Sequence, residues 1–257
     1  HIGTPVSELV EAYQPENLIA LAPAGLNNIL EGGVPKGTHI VVFARPEIGK
    51  SAFCINLSAE FLMAGRKVLY FGNEDPYSQM GTRITARLNG WSTTKVKALP
   101  DEADSLAREK GYESLVFVDR GHMDVKLVED LTAKHEPDII VVDQIRNLDY
   151  GKMSKVEGFE YLAKSIRAIA KDANCVGVSI TQAGDSAEDK VVLDQGDVDY
   201  SNTGIPGAAD LMIGIGADPD LKAMDRRALT LCKNKITGKH DTLMVKLIPS
   251  VSMVKDL

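Results

Sequence analysis

Read from its amino terminus, the chain alternates short unbroken apolar runs with amphipathic stretches. Five runs, HIVVFA (39–44), KVLYFG (67–72), SLVFVD (114–119), DIIVVDQ (138–144) and CVGVSITQ (175–182), are apolar throughout rather than every second residue. Strands covered on both faces carry that pattern, so the runs predict a parallel sheet. Between them the period changes to that of a helix. From Ser51 to Ala64, Phe53, Leu57 and Phe61 recur every fourth residue, and Gly65 supplies a stop. In DPYSQMGTRITARLNG, Asp75 reads as the N-cap and Pro76 as the first turn, with Met80, Ile84 and Leu88 on one face. Phe159, Leu162, Ile166 and Ile169 form a third stripe between Glu157 and Lys171.

Strand and helix in alternation predict an α/β domain with right-handed crossovers. After residue 210 the pattern changes to DLMIGIG (210–216), ALTLCKN (228–234), DTLMVKLI (241–248) and VSMV (251–254), joined by short turns. These predict an antiparallel extension on one sheet edge. Residues 1–20 have weak periodicity and read as a lead-in, the stump of a linker; the domain proper is taken as 21–257. Between Gln182 and Asp210 little regular pattern is visible, and a loop that long is uncommon unless functional or disordered.

Composition narrows the classes. The chain has 257 residues, enough for one large core, with 44% hydrophobic and 25% charged residues. No run reaches the roughly 18 apolar residues of a membrane helix, so no membrane association is expected. Cys54, Cys175 and Cys232 stand singly in apolar stretches, which reads as buried thiols of a cytoplasmic protein. A net charge of −7 argues against a broad DNA-coating surface and restricts any nucleic-acid contact to local patches.

The candidate chemistry begins at FARPEIGKSAF (43–53). A strand, a turn Ala44–Gly49 and a helix from Lys50 give the strand–loop–helix setting of a phosphate loop, although its usual first glycine is Ala44. In that setting the backbone of Ala44, Arg45, Pro46, Glu47, Ile48 and Gly49 cradles phosphates of ATP. Lys50 reaches the β and γ phosphates, and Ser51 ligates Mg²⁺. Ala44 is tolerable there provided that it needs no positive φ. Hydrolysis needs a second carboxylate for the metal and a base for water. Asp143, ending an apolar strand, fits the first, and Glu74, ending the strand after the loop helix, fits the second. Gln182 ends a further strand and is placed to sense the γ-phosphate.

These motifs resemble DnaB-type replicative DNA helicases. ARPEIGKSAFCINLSAEF is similar to their phosphate loop and helix, in which A-R-P is usual, so Ala44 matches the family. NEDP resembles their S-L-E-M-P segment, which carries the catalytic glutamate onto Glu74. DIIVVDQIRNL resembles their magnesium-binding strand, and VSITQ the strand ending in their sensor glutamine. The segment GGVPKG is closer to RadA- and KaiC-like members of the wider RecA-like superfamily, leaving a recombination ATPase and a regulatory ATPase as alternatives. The resemblance implies a RecA-like P-loop NTPase core in a homo-oligomeric ring, usually a hexamer, with ATP between subunits and a primase or helicase loader as further partner. The family's K-x-R hairpin motif falls on CKNKITGKH, giving Lys233 and, at the arginine position, Lys235; Arg226 and Arg227 are alternatives for the finger.

The family threads single-stranded DNA past loops that here span about 146–156 and 183–209. The first offers Arg146, Lys152 and Lys155. The second holds six acids against Lys190, so contacts there fall to backbone amides around Gly204, to Asn202 and to Tyr200.

Overall fold

The computed structural model describes residues 3–199 and 204–257. Among these residues nine strands are present: β1 (His39–Ala44), β2 (Val68–Gly72), β3 (Leu115–Asp119), β4 (Ile139–Asp143), β5 (Val176–Gln182), β6 (Leu211–Gly216), β7 (Arg226–Asn234), β8 (Thr242–Ile248) and β9 (Met253–Asp256). They form one sheet in the order β3-β2-β4-β5-β1-β6-β7-β8-β9. Neighbours from β3 to β6 run parallel, and β6 to β9 antiparallel. The mainly parallel sheet with an antiparallel C-terminal extension is the architecture that the apolar runs predict.

Ten α-helices of the described residues surround it: α1 (Val6–Glu11), α2 (Gly25–Ile29), α3 (Lys50–Met63), α4 (Tyr77–Asn89), α5 (Thr93–Ala98), α6 (Pro100–Glu109), α7 (Val125–His135), α8 (Lys155–Asp172), α9 (Gly204–Ala208) and α10 (Pro219–Ala223). Successive side chains of β1 enter opposite cores. Ile40 and Val42 join Phe53, Leu57 and Phe61 of α3 and Ile84 and Leu88 of α4, whereas Val41 and Phe43 join Leu162 and Ile166 of α8. Burying each such side chain contributes about 1.5–3 kcal/mol. Two filled faces therefore hold β1 in the middle of the sheet and fix the loop that leaves its end.

Three local expectations are corrected. Asp75 does not cap α4; the N-cap is Pro76, which has no capping side chain, and the carboxylate of Asp119 at the end of β3 accepts from the Tyr77 N–H at 3.0 Å instead. Helix α8 starts at Lys155, behind a capping box of Ser154 and Glu157, so Lys155 belongs to a helical first turn rather than to a loop. Residues 183–199 are not patternless: the chain turns at Asp185–Ala187 and Gln195–Asp197, Ala183 bridges to Val198, and Ala187, Leu193 and Val198 enter the α8-side core. Cys54 and Cys175 are buried, whereas Cys232 is half-buried. Helix α1 buries no residue. Among the described residues no helix is long and apolar enough to cross a membrane.

Candidate active site

The turn after β1 has the shape that the sequence implies, with a different residue bearing the conformational demand. Ala44 stays within the strand, and the positive φ angles fall on Glu47 (64°) and Gly49 (113°). The positive φ favours glycine at position 49, and a Cβ there would also lie 2.9 Å from a methyl group of Leu247 on β8. Helix α3 then begins, and the N–H groups of Gly49, Lys50, Ser51 and Ala52 donate to no backbone acceptor. Four converging free donors at a helix N-terminus suit an anion.

Strand register gathers the other candidates at the same rim. Gly72 pairs with Asp143, Asp143 with Ile180, and Ala44 with Gln182. Glu74 follows β2, and its Oε2 lies 3.8 Å from the buried Lys50 amine. The same oxygen accepts from Gln144 Nε2 at 2.8 Å. Asn73 and Gln144 lock the ends of β2 and β4 together: the Asn73 amide donates to the Gln144 carbonyl at 3.0 Å and accepts from the Gln144 N–H at 2.9 Å. Glu74 is thus held from two sides while remaining open to solvent.

Asp143 is buried, with Oδ2 accepting from the Tyr70 hydroxyl at 2.7 Å and Oδ1 left without a partner. Burial pushes its carboxyl above the usual carboxylate range; Lys50 and the Tyr70 hydrogen bond pull against that, and Glu74 adds to it. A buried, half-satisfied carboxylate facing Lys50, with the Ser51 hydroxyl at the helix start, is an oxygen donor set that fits a hard divalent cation. Tyr70 and Gln144 are functional candidates that the sequence reading passed over. So is Arg83 on α4, whose charge acts on both Tyr70 and Cys54 beside Asp143. A helical arginine nine residues after the glutamate leaves no pattern that marks it out. A cavity of about 680 Å³ between α7 and α8, lined by Lys36, Asp138 and Asn174, lies at the opposite rim, where β4 and β5 begin, and plays no part in this cluster.

Arg45 leaves the loop sideways. Its guanidinium pairs with Glu188 at 2.9 Å and Asp185 at 3.0 Å, which ties the phosphate-loop turn to the segment after Gln182. Lys233 and Lys235 lie at the far end of β7, beside Met212 and Asp210 where β6 begins. Lys233 donates to the Pro206 carbonyl and Lys235 lies 3.9 Å from Asp210. Lys233 lies six positions beyond Arg227, about 20 Å along a strand, so these lysines are remote from the phosphate loop of the same chain. Arg227 is buried and turned toward that loop, donating through Nε to the Ile48 carbonyl. Its guanidinium is thereby engaged with the loop of its own chain.

Of the DNA-contact candidates, Arg146 follows β4 and pairs with Asp199 at 3.1 Å. Lys152 is exposed in the turn before α8, a turn anchored by Tyr150, whose ring packs on Gly158 and edge-on against Phe159. Lys155 is exposed at the start of α8. Gly204 is buried at the head of α9. Tyr200 and Asn202 lie outside the described residues.

Comparison with known proteins gives the setting for this geometry. The DnaB-like replicative helicase of Enterobacteria phage T4 is 27% identical over 241 residues, covering 84% of this chain and 49% of that protein. The DNA repair protein RadA of Listeria monocytogenes matches a shorter part, 24% identical over 156 residues, 61% of this chain and 29% of that protein. The chain thus spans about half the length, or less, of these curated relatives. Among solved structures, a DnaB-like replicative helicase described with its interactions with primase superposes with a TM-score of 0.85 at 15% identity, over all of this chain and 68% of that one. A second solved structure, an ATPase domain on its own, superposes with a TM-score of 0.83 at 16% identity over the whole of both chains. At those identities the superpositions establish a shared fold. The sequence profile described as "DnaB-like helicase C terminal domain" matches residues 23–195, from the lead into β1 to beyond Gln182, and this chain belongs to that family.

Proposed function

We propose that residues 21–257 are the ATP-hydrolysing motor of a replicative DNA helicase, working in a ring of identical subunits on single-stranded DNA. The observation that carries this reading is the meeting of Lys50, Glu74 and Asp143 at one rim of the sheet, with 3.8 Å between the Lys50 amine and the Glu74 carboxylate. In the reading, the loop from Ala44 through Ser51 holds the triphosphate. Ser51 and Asp143 would hold Mg²⁺, which would supply neutralising charge for the phosphates.

The chain's own groups then divide the work. Lys50 exchanges its loose pairing with Glu74 for the phosphates. Glu74 Oε2 stays held by Gln144, leaving Oε1 to orient the water that attacks the γ-phosphorus as the bond to the bridging oxygen of ADP breaks. Gln182, paired in register with Ala44, reads the presence of the γ-phosphate. Lys233 and Lys235, remote from their own loop, act on the nucleotide of the adjacent subunit; an ammonium there gives a point charge in place of a planar fork. DNA lies against Arg146, Lys152, Lys155 and Gly204. The solved relative described with primase makes a primase a candidate partner.

The first test is hydrolysis with and without single-stranded DNA. The wild-type chain is expected to be stimulated by DNA, and Glu74→Gln to lose on the order of 10²–10⁴-fold in kcat while binding nucleotide as before. A Glu74→Gln variant that still hydrolyses ATP at the wild-type rate would refute the assignment. RadA relatives keep a recombination ATPase as a second reading, and unwinding of a forked duplex by the full-length protein separates the two.

A further inference from the structure

Arg227 is the second residue of β7, after the exposed Arg226, and the fold buries it against the phosphate loop. Its Nε donates to the Ile48 carbonyl, and an Nη donates to the Arg226 carbonyl at 2.6 Å. Ile48 is the residue just before Gly49. The peptide between them is trans and planar, so its C=O and N–H point in opposite directions. A guanidinium bound to the oxygen draws electron density across the amide and strengthens the opposite N–H as a donor. That N–H belongs to Gly49, the first of the four donors without a backbone acceptor. The charge sits behind the loop while the donors face the other way.

A second contact comes from the same pair of strands. Arg227 pairs in register with Val245 on β8, and two residues further on Leu247 packs against Gly49. The antiparallel extension therefore grips the loop at consecutive residues, by charge at Ile48 and by apolar contact at Gly49.

We propose that Arg227 is a positioning residue for the triphosphate: it fixes and polarises the Ile48–Gly49 peptide so that the Gly49 N–H is set to receive a phosphate oxygen. The inference rests on the reading that this loop binds a triphosphate. It differs from a plain buttress, which would raise thermal stability without selectively changing nucleotide affinity.

Two substitutions in the full chain separate these roles. Arg227→Lys keeps a cation able to reach the Ile48 carbonyl; Arg227→Gln keeps a donor and removes the charge. Nucleotide affinity is measured by titration of a fluorescent ATP analogue with Mg²⁺, alongside KM and kcat at a temperature well below each variant's Tm. Arg227→Gln is expected to raise Kd and KM about tenfold with kcat within about twofold, whereas Arg227→Lys stays within about threefold of wild type. Wild-type affinity in both variants, or a fall in Tm alone with no change in Kd, would overturn the inference. If Arg227→Gln does not fold, Arg227→Met in its place must show the same Kd increase, and loss of folding in both neutral variants beside an unperturbed Arg227→Lys affinity would count as a purely structural role and overturn it. A wild-type chain that binds no nucleotide overturns the loop reading and this inference together, an outcome distinct from a wild type that binds while its variants do so equally well.

Discussion

Asp143 Oδ1 is a buried carboxylate oxygen with no partner, a costly arrangement for a group whose only task is to end a strand. Its carboxyl is raised above the ordinary range, chiefly by burial. In the window above the ordinary aspartate pKa the folded chain therefore holds more protons than the unfolded chain. Stability falls as pH rises through that window and stays lower above it. Asp143→Asn removes this cost and keeps an oxygen for the Tyr70 hydroxyl. Without nucleotide, the variant is expected to melt above wild type at pH 7 by a few degrees, and the difference should vanish near pH 3, where Asp143 is protonated. Thermal unfolding at both pH values measures this, and an equal gain at both would count against a buried charge as the cause. The same variant should lose hydrolysis, since the carboxylate is the proposed metal ligand. At this scale the sequence made Lys50, Glu74, Asp143 and Gln182 legible because each ends or follows an apolar run. Tyr70, Gln144 and Arg83 stayed hidden, and Arg227 showed only as an alternative finger, because their roles come from partners far along the chain, such as Ile48 for Arg227, 179 residues away.

Between β2 and α4 the chain carries Glu74 across a short turn, and the start of α4 governs where that turn sits. One of the first-turn N–H groups left without an intrahelical partner, that of Tyr77, is met from outside by Asp119. Asp119→Ala removes that acceptor and is expected to cost about 1 kcal/mol, the usual worth of a cap, or roughly 2–4 °C in Tm for a domain of this size. A thermal melt reads the loss, and hydrolysis should fall with it because Glu74 loses its fixed approach; a Tm within 1 °C (about the resolution of such a shift) would show the contact to be incidental. No local signal could reveal this cap, since Asp119 lies 42 residues from Tyr77. Elsewhere the elements divide by how they are stabilised. The strands of the parallel core were readable because both faces are apolar, but their order was not, being set by how helices pack. The segment from Thr93 to Glu109 was passed over because the stripe it buries is only Val96, Ala103 and Ala107. Residues 183–199 looked structureless because their order comes from distant ion pairs as well as three scattered apolar residues.

Across the whole molecule the acidic balance takes on a different meaning. All six acids of the described residues 183–199 meet a cation: Asp185 and Glu188 meet Arg45, Asp189 meets Lys222, Asp194 and Asp197 meet Lys190, and Asp199 meets Arg146. Four cations thus meet six carboxylates, cutting the charge of a segment that reads as a barrier to DNA to −2, at the expense of occupying Arg146, one of the cations proposed to touch the strand. The Arg146 and Asp199 side chains are 27% and 26% exposed, so the pair is partly shielded from solvent and ties Arg146 up against a competing phosphate. Asp199→Asn should release it outright. Each phosphate neutralised on single strands adds about 0.7 to the slope of log affinity against log salt, and repetition around a ring multiplies the gain. The variant is therefore expected to bind single-stranded DNA more tightly at low salt and to lose affinity more steeply as salt is added. Fluorescence anisotropy across a salt series measures both, and a slope unchanged from wild type would show that Arg146 makes no contact with the strand. Adding Arg146→Ala to Asp199→Asn should abolish the extra slope, which assigns the effect to the freed guanidinium rather than to the lost acid.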